Sequence, residues 1–174
     1  SIDPDDNSVK LVTQWDISAI PYNPSNQTAF EGSYMEEWLN DTSVDGFLGN
    51  LREPDKFIKM DSRWNATLTT DTTKPPKTTM VEAAVGLLNI YEYTMSYSGT
   101  TESNSYLNNG LYWWTLTPYS VSKIHSIDHG GIPHISGDAA DEVGIRPVIN
   151  LQKTVKIIEG RGTEDDPYRL DGDN

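Results

Sequence analysis

The chain has 174 residues, with 26 Asp and Glu against 13 Lys and Arg, giving a formal charge of −13. A protein of that sign repels nucleic-acid phosphate and anionic lipid, so neither is an expected partner. The absence of cysteine excludes disulfides, thiolate metal centres, iron–sulfur clusters and cysteine nucleophiles, and no apolar run reaches the roughly 18 residues that would span a bilayer.

The length suits one domain, since domains usually hold about 100–200 residues. Its 5 Trp, 9 Tyr and 3 Phe separate it from disordered acidic chains, which lack aromatic residues. Residues 1–7 are polar and read as a loose lead-in. The opening SIDPDDNSVK shows no initiator Met and no signal peptide, and reads as that of a mature form or of an expressed segment, with any targeting sequence upstream. Residues 9–14 (VKLVTQ) alternate and predict a first strand. Pro21, Pro24 and Gly32 mark a loop. Ser33 opens a helix with Glu36 at capping-box spacing, and Tyr34, Met35, Trp38 and Leu39 share one face. Phe47, Leu48 and Leu51 carry the helical region on to residue 52, and Pro54 ends it.

Residues 57–60 and 64–69 are short strand candidates. Residues 70–79 (TDTTKPPKTT) form a loop stiffened by Pro75 and Pro76. Residues 81–88 are the most apolar stretch, residues 90–97 read as one or two helical turns, and residues 98–110 are loop. From residue 111 to 158 the chain reads as β. Residues 111–116 (LYWWTL) form a strand stopped by Pro118. Residues 121–127 and 132–135 flank Asp-His-Gly-Gly, a tight-turn sequence. Residues 144–151 (GIRPVINL) form a strand in which Pro147 demands an edge, a bulge or a missing ladder bond, and residues 155–158 form the last. The class is α+β, with helices in the N-terminal half packed on an antiparallel sheet.

The 3 histidines are His125, His129 and His134. If the hairpin turns at His129-Gly130, His125 and His134 stand opposite one another with Cβ atoms about 5 Å apart, close enough to share a metal. A turn one residue later breaks that pairing, and the alternative is three solvent-facing histidines. The acidic clusters at residues 3–6, 138–142, 164–166 and 171–173 read as solvated surface, with a loop-bound calcium as the one cofactor left open. No P-loop, nucleophile elbow or dinucleotide fingerprint occurs. Glu36, Glu37 and Glu92 are the acid–base candidates, and the first two diverge because neighbours on a helix do not face each other. Trp113 and Trp114, adjacent in a strand, face opposite sides. One belongs to the core, and the other lines a ligand surface or is buried as well. Arg146, set in an apolar strand, is expected to be buried and paired with a carboxylate, Glu92 or Glu37.

Several segments stand together in an order that carries a resemblance. They are Ser33-Tyr34 with Trp38-Leu39-Asn40; Val85-Gly86-Leu87-Leu88; Tyr91-Glu92-Tyr93; Tyr106-Leu107-Asn108-Asn109-Gly110; Trp113-Trp114-Thr115-Leu116-Thr117-Pro118; Gly144-Ile145-Arg146-Pro147-Val148-Ile149-Asn150-Leu151; and Gly160-Arg161-Gly162 leading to Asp166-Pro167-Tyr168. Over residues 9–170 the chain resembles a family of bacterial, mostly Gram-positive, surface and phage proteins with a W-W-x-L/R-[ST]-P segment and a G-[VI]-R-P end. The resemblance implies a C-type-lectin-like fold in the version shared with formylglycine-generating enzyme, with the Trp–Pro strand and the Gly-Ile-Arg-Pro strand in one small twisted sheet. It does not carry over that enzyme's chemistry, which needs a cysteine pair. Nor do the histidines match the cluster of the iron-dependent sulfoxide synthases. Trp38, Arg146 and Pro147 are then structural residues.

Similar relatives begin with a prepilin-type helix, so the chain is expected to be the head of a type IV pilin-like protein on the bacterial cell surface. The segment at residues 119–142 is also similar to regions that diversity-generating retroelements mutate at adenines. The expected function is non-enzymatic ligand binding or display. The site is expected on the hairpin of residues 119–142, with Tyr119, Lys123, His125, Asp128, His129 and His134 exposed and Trp113 or Trp114 beneath. The ligand would be a surface protein or glycan, with other pilin subunits as further partners. A structural pilus subunit is the alternative, and a hydrolase or metal-dependent enzyme the lesser one.

Overall fold

The computed structural model describes residues 8–98, 104–135 and 137–172. The lead-in expected at residues 1–7 and the middle of the loop at residues 98–110 lie outside the described residues. In chain order the elements are β1 (Lys10–Val12), β2 (Ser18–Pro21), α1 (Tyr34–Asn40), a 3-10 turn (Leu48–Asn50), α2 (Pro54–Phe57), β3 (Ser62–Asn65), β4 (Met80–Ala83), β5 (Val85–Gly86) and α3 (Ile90–Thr94). The second half holds β6 (Trp113–Pro118), β7 (Ile124–Ile127), β8 (Pro133–His134), β9 (Glu142–Ile145), β10 (Val148–Asn150), β11 (Val155–Glu159) and β12 (Arg169–Gly172). The class is α+β, mostly sheet with a few short helices.

A five-stranded sheet in the order β2-β9-β6-β7-β8 forms the centre, and a three-stranded sheet in the order β1-β10-β5 lies beside it. The β3–β4 and β11–β12 hairpins complete the fold. The central sheet is mixed rather than antiparallel, because β6 meets β9 in parallel at Trp113 and Gly144. Gly144 is required there. A Cβ would stand 1.9 Å from the Asp16 carboxylate and 2.6 Å from the Tyr112 carbonyl, while the Gly144 N–H donates to that carbonyl.

Local chemistry sets the helices. The Ser33 hydroxyl accepts the Glu36 N–H at 3.1 Å, and the Glu36 carboxylate reaches back to the Gly32 N–H at 2.6 Å. One orphan donor of the helix and the N–H of the residue before its cap are thereby satisfied. Met35 and Leu39 are buried, Trp38 packs against Phe47 at the core edge, and Tyr34 faces outward. Asn40 clamps α1 to β5 in both directions, donating to the Val85 carbonyl and accepting from the Val85 N–H. Asn89 and Glu92 form a complete capping box on α3.

The sequence-based expectations need correction at four places. Pro54 starts α2 instead of ending a helix, since a proline at the first helical position loses no intrahelical bond. Residues 57–60 contribute only a single bridge, Ile58 to Leu151. The strand expected over residues 144–151 breaks at Arg146-Pro147 into β9 and β10, which belong to different sheets. The strand β12 has too little apolar character to announce itself, and pairs with β11 on the surface.

All six residues of β6 are buried, as befits a central strand covered on both faces. Trp113 and Trp114 do face opposite sides, and both are covered. Trp114 meets the edge of Tyr22 and donates its indole N–H to the Ile20 carbonyl at 3.2 Å. Trp113 meets the edge of Tyr93 at 5.4 Å and lies under the Arg146 guanidinium at 4.7 Å.

Arg146 is buried as expected, but its hydrogen-bond partners are carbonyls. Its Nε donates to Thr13 at 2.9 Å and its Nη1 to Leu107 at 2.6 Å. Neither expected carboxylate reaches it. Glu92 is ion-paired with Lys10, and Glu37 is exposed on α1. The nearby charge is Asp16, whose carboxyl is pushed up by burial, against the hydrogen bond from Asn109 and the field of Arg146.

Arg146→Lys keeps the charge but loses the planar fork and the stack on Trp113. It is expected to lower unfolding stability by about 2 kcal/mol, the scale of a lost hydrogen bond to a charged group. Urea unfolding measures this, and a loss within about 0.5 kcal/mol, the range of ordinary surface changes, contradicts it.

Candidate functional site

The hairpin of β7 and β8 sets the site's geometry through its register. Ser126 pairs with His134 and Ile127 with Pro133. His125 and His134 are therefore not opposite one another, and side chains one residue apart leave opposite faces of a sheet. The turn is held by Asp128, whose carbonyl accepts the Gly131 N–H and whose carboxylate accepts the Ile132 N–H, each at 2.9 Å. Gly131 takes φ +80°, a conformation side chains rarely adopt, and its carbonyl accepts the buried Tyr93 hydroxyl at 2.8 Å. The rim of the hairpin is thus tied to the face of the Trp113 cluster.

The two faces of the hairpin carry different groups. On one, the Ser126 hydroxyl donates to the Tyr112 hydroxyl at 3.0 Å, and Tyr112 meets His134 Nδ1 at 2.5 Å. The exposed His129 ring lies 6.4 Å from that of Tyr112. On the other, His125 and Tyr119 meet edge to face at 5.2 Å.

His125 and Tyr119 line a cleft of about 590 Å3 with Thr70, Thr72, Thr73, Thr94, Tyr97, Pro133 and Ile135. This volume is within the usual range for small-molecule sites. The wall opposite the hairpin comes from the loop before β4 and from the end of α3.

His125 is 1% exposed, which corrects its expected place on the outer surface. Its Nε2 lies 2.9 Å from the Thr69 carbonyl, which can only accept, so Nε2 carries the proton and Nδ1 is an acceptor. Nδ1 is buried with no hydrogen-bond partner. Burial pushes the imidazole pKa down, so the ring stays neutral, and the bond to Thr69 opposes this only in part.

Of the other expected site residues, Tyr119 is half-buried in the cleft wall. Lys123 is half-buried and ion-paired with Asp138 at 3.4 Å. Asp128 is spent on the turn. Trp113 and Trp114 are the floor of the fold and line no surface. The threonines of the opposite wall were missed in the sequence, where they stood as a polar loop. Their signal was the density of Thr at residues 67–79 beside the helix that ends in Thr94.

Among the described residues, no group of three His, Asp or Glu side chains is placed to hold a metal ion. No described helix is long and apolar enough to cross a membrane. No protein-family model matches the chain, and comparison with curated proteins and with solved structures gives no match.

A histidine held neutral in the fold makes stability pH-dependent. Its folded pKa lies below the unfolded value of about 6.5, so the unfolded chain binds the extra proton first as pH falls. Stability contributed by neutral His125 is complete well above that value and declines as pH drops through it towards the folded pKa. Between pH 7 and 5 the wild type is expected to lose more stability than His125→Gln, which titrates nowhere in that window. Parallel slopes in thermal unfolding across the same range contradict this.

Proposed function

We propose that the chain is a non-enzymatic ligand-binding or display domain of a bacterial cell surface, C-type-lectin-like in architecture and carried as the head of a type IV pilin-like protein. The fold reading is supported by the adjacency of β6, which holds the Trp-Trp-x-Leu-Thr-Pro segment, and β9, which leads into Gly-Ile-Arg-Pro, within one sheet. The observation that carries the functional reading is the cleft under the β7–β8 hairpin. It presents threonine hydroxyls and the Tyr119 ring on a rigid support, with His125 enclosed behind them. Hydroxyl and aromatic side chains on a fixed scaffold suit a neutral glycan or a peptide surface.

Diversification by a retroelement, if it acts on residues 119–142, is restricted by the packing. Ile124, Ile127 and Ala139 are in the core. Exposed or half-buried positions are free to vary, among them Tyr119 and Ile135 at the cleft, His129 and Ile132 at the rim and Val121 in the turn between β6 and β7.

The structural alternative, a pilus subunit, has one observation in its favour. Trp15 is 59% exposed and Tyr106 77% exposed, and both line a shallow cleft next to Arg146. Exposed aromatic neighbours of this kind mark contact surfaces.

Screening the protein against glycan and surface-protein arrays supplies a ligand for the test. Tyr119→Ala and Ile135→Asp are expected to weaken its capture by about tenfold, the effect of losing one good contact, with stability lowered by no more than about 1.5 kcal/mol, the scale of the Tyr119–His125 ring contact. Undiminished capture by both variants contradicts the cleft as the site. Trp15→Ser with Tyr106→Ser is expected to leave capture intact, and loss of assembly on cells in that variant favours the structural alternative.

A further inference from the structure

Independently of the hairpin cleft, the molecule concentrates positive charge in one place. A groove of about 490 Å3 between the β3–β4 hairpin and α3 is lined by Lys10, Arg63, Lys74 and Lys77. That is 4 of the 13 Lys and Arg in a chain of charge −13. Among the described residues lining it, Glu92 is the only carboxylate, and both of its oxygens are occupied. One accepts from Lys10 and the other from the Asn89 N–H at 2.9 Å. Lys10 is itself largely buried and lies over the Trp64 ring at 5.1 Å. This pair neutralises itself and forms the groove's floor.

Arg63 and Lys74 are exposed and are in no ion pair with another described residue. Glu82 is the cross-strand partner of Arg63, yet it lines a separate acidic groove with Glu36, Glu37 and Asp41. Directly paired residues share one face of a hairpin, so Arg63 and Glu82 stand on the same face, where two grooves of opposite sign adjoin. The chain's overall negative field does not cancel the basic one, because exposed charges are screened beyond about 8 Å at physiological salt. Pro75, Pro76, Met80 and the Tyr91 ring supply apolar faces between the cations.

We infer that this groove binds a carboxylated saccharide of one or two rings. The Arg63 fork pairs with the carboxylate, Lys74 adds charge, and the C–H face of the ring packs on Tyr91 and the prolines. A neutral saccharide fails to use the cations, and a bare inorganic anion fails to use the apolar walls.

The test is titration of the full chain with digalacturonate, its neutral methyl ester and inorganic phosphate, followed by calorimetry and by amide chemical shifts. Digalacturonate is expected to bind, with shifts at Asn65, Asn89 and Tyr91 and with affinity falling as salt is raised. Arg63→Gln with Lys74→Gln is expected to weaken it by about tenfold or more, as charge-assisted contacts do, with thermal unfolding unchanged because both side chains are exposed. Tyr119→Ala leaves this binding untouched, which separates its outcome from that of the hairpin cleft. Absence of digalacturonate binding overturns the inference, as does equal binding of the ester or of phosphate, or an unaffected double variant.

Discussion

The two sheets of this fold are joined around a guanidinium almost wholly withdrawn from water. Arg146 is 3% exposed, and a buried charge is tolerated only when its donors are met. It stacks on Trp113 and donates to the carbonyls of Thr13 and Leu107. Those carbonyls lie in the segment between β1 and β2 and in the loop before β6, so one side chain fixes two irregular segments to the centre of the sheet. Pro147 completes the arrangement. Lacking an N–H, it ends β9 and frees the chain to begin β10 in the second sheet. The corner between the sheets is therefore a consequence of two adjacent residues, one that must be enclosed and one that cannot continue a ladder.

The same centre supports the rim. Tyr93 packs edge-on against Trp113 and spends its hydroxyl on the carbonyl of Gly131, in the β7–β8 turn. The hairpin is thus held at its tip by the core and at its base by the β6–β7 ladder. A ligand at the proposed cleft would meet side chains on a support already ordered, which would save the entropy that a loose loop would lose. The cost of the design is visible at His125, whose ring is enclosed neutral with one nitrogen unpaired.

Much of the framework was legible in the sequence. The α+β class, the capped helix at Ser33, a helix within residues 90–97, the hairpin and the burial of Arg146 all followed from caps, periodicity and turn residues. The parts that were not legible depend on where chains meet in space. Alternation in LYWWTL correctly set Trp113 and Trp114 on opposite faces, but could not say that Tyr22 covers one face and Tyr93 the other. Charge alone points Arg146 towards a carboxylate, whereas the fold offers it the carbonyls of irregular segments. The histidine pairing turned on a single residue of hairpin register, which Asp-His-Gly-Gly leaves open and the Asp128 turn decides. The threonine wall of the cleft is assembled from residues 70–73 and Thr94, far apart in the chain and uninformative singly.

On the proposed function a fixed scaffold carries a rim that meets ligands, and natural variation tests that division. The measurement is the sequence of this gene, with its neighbours, in independent isolates of the organism that carries it. The account predicts that substitutions gather at Tyr119, Val121, His129, Ile132 and Ile135, while Trp113, Trp114, Tyr93, Gly144, Arg146 and Pro147 stay unchanged. Substitutions spread evenly over rim and surface, or a rim as invariant as the core beside variable Trp15 and Tyr106, would contradict it.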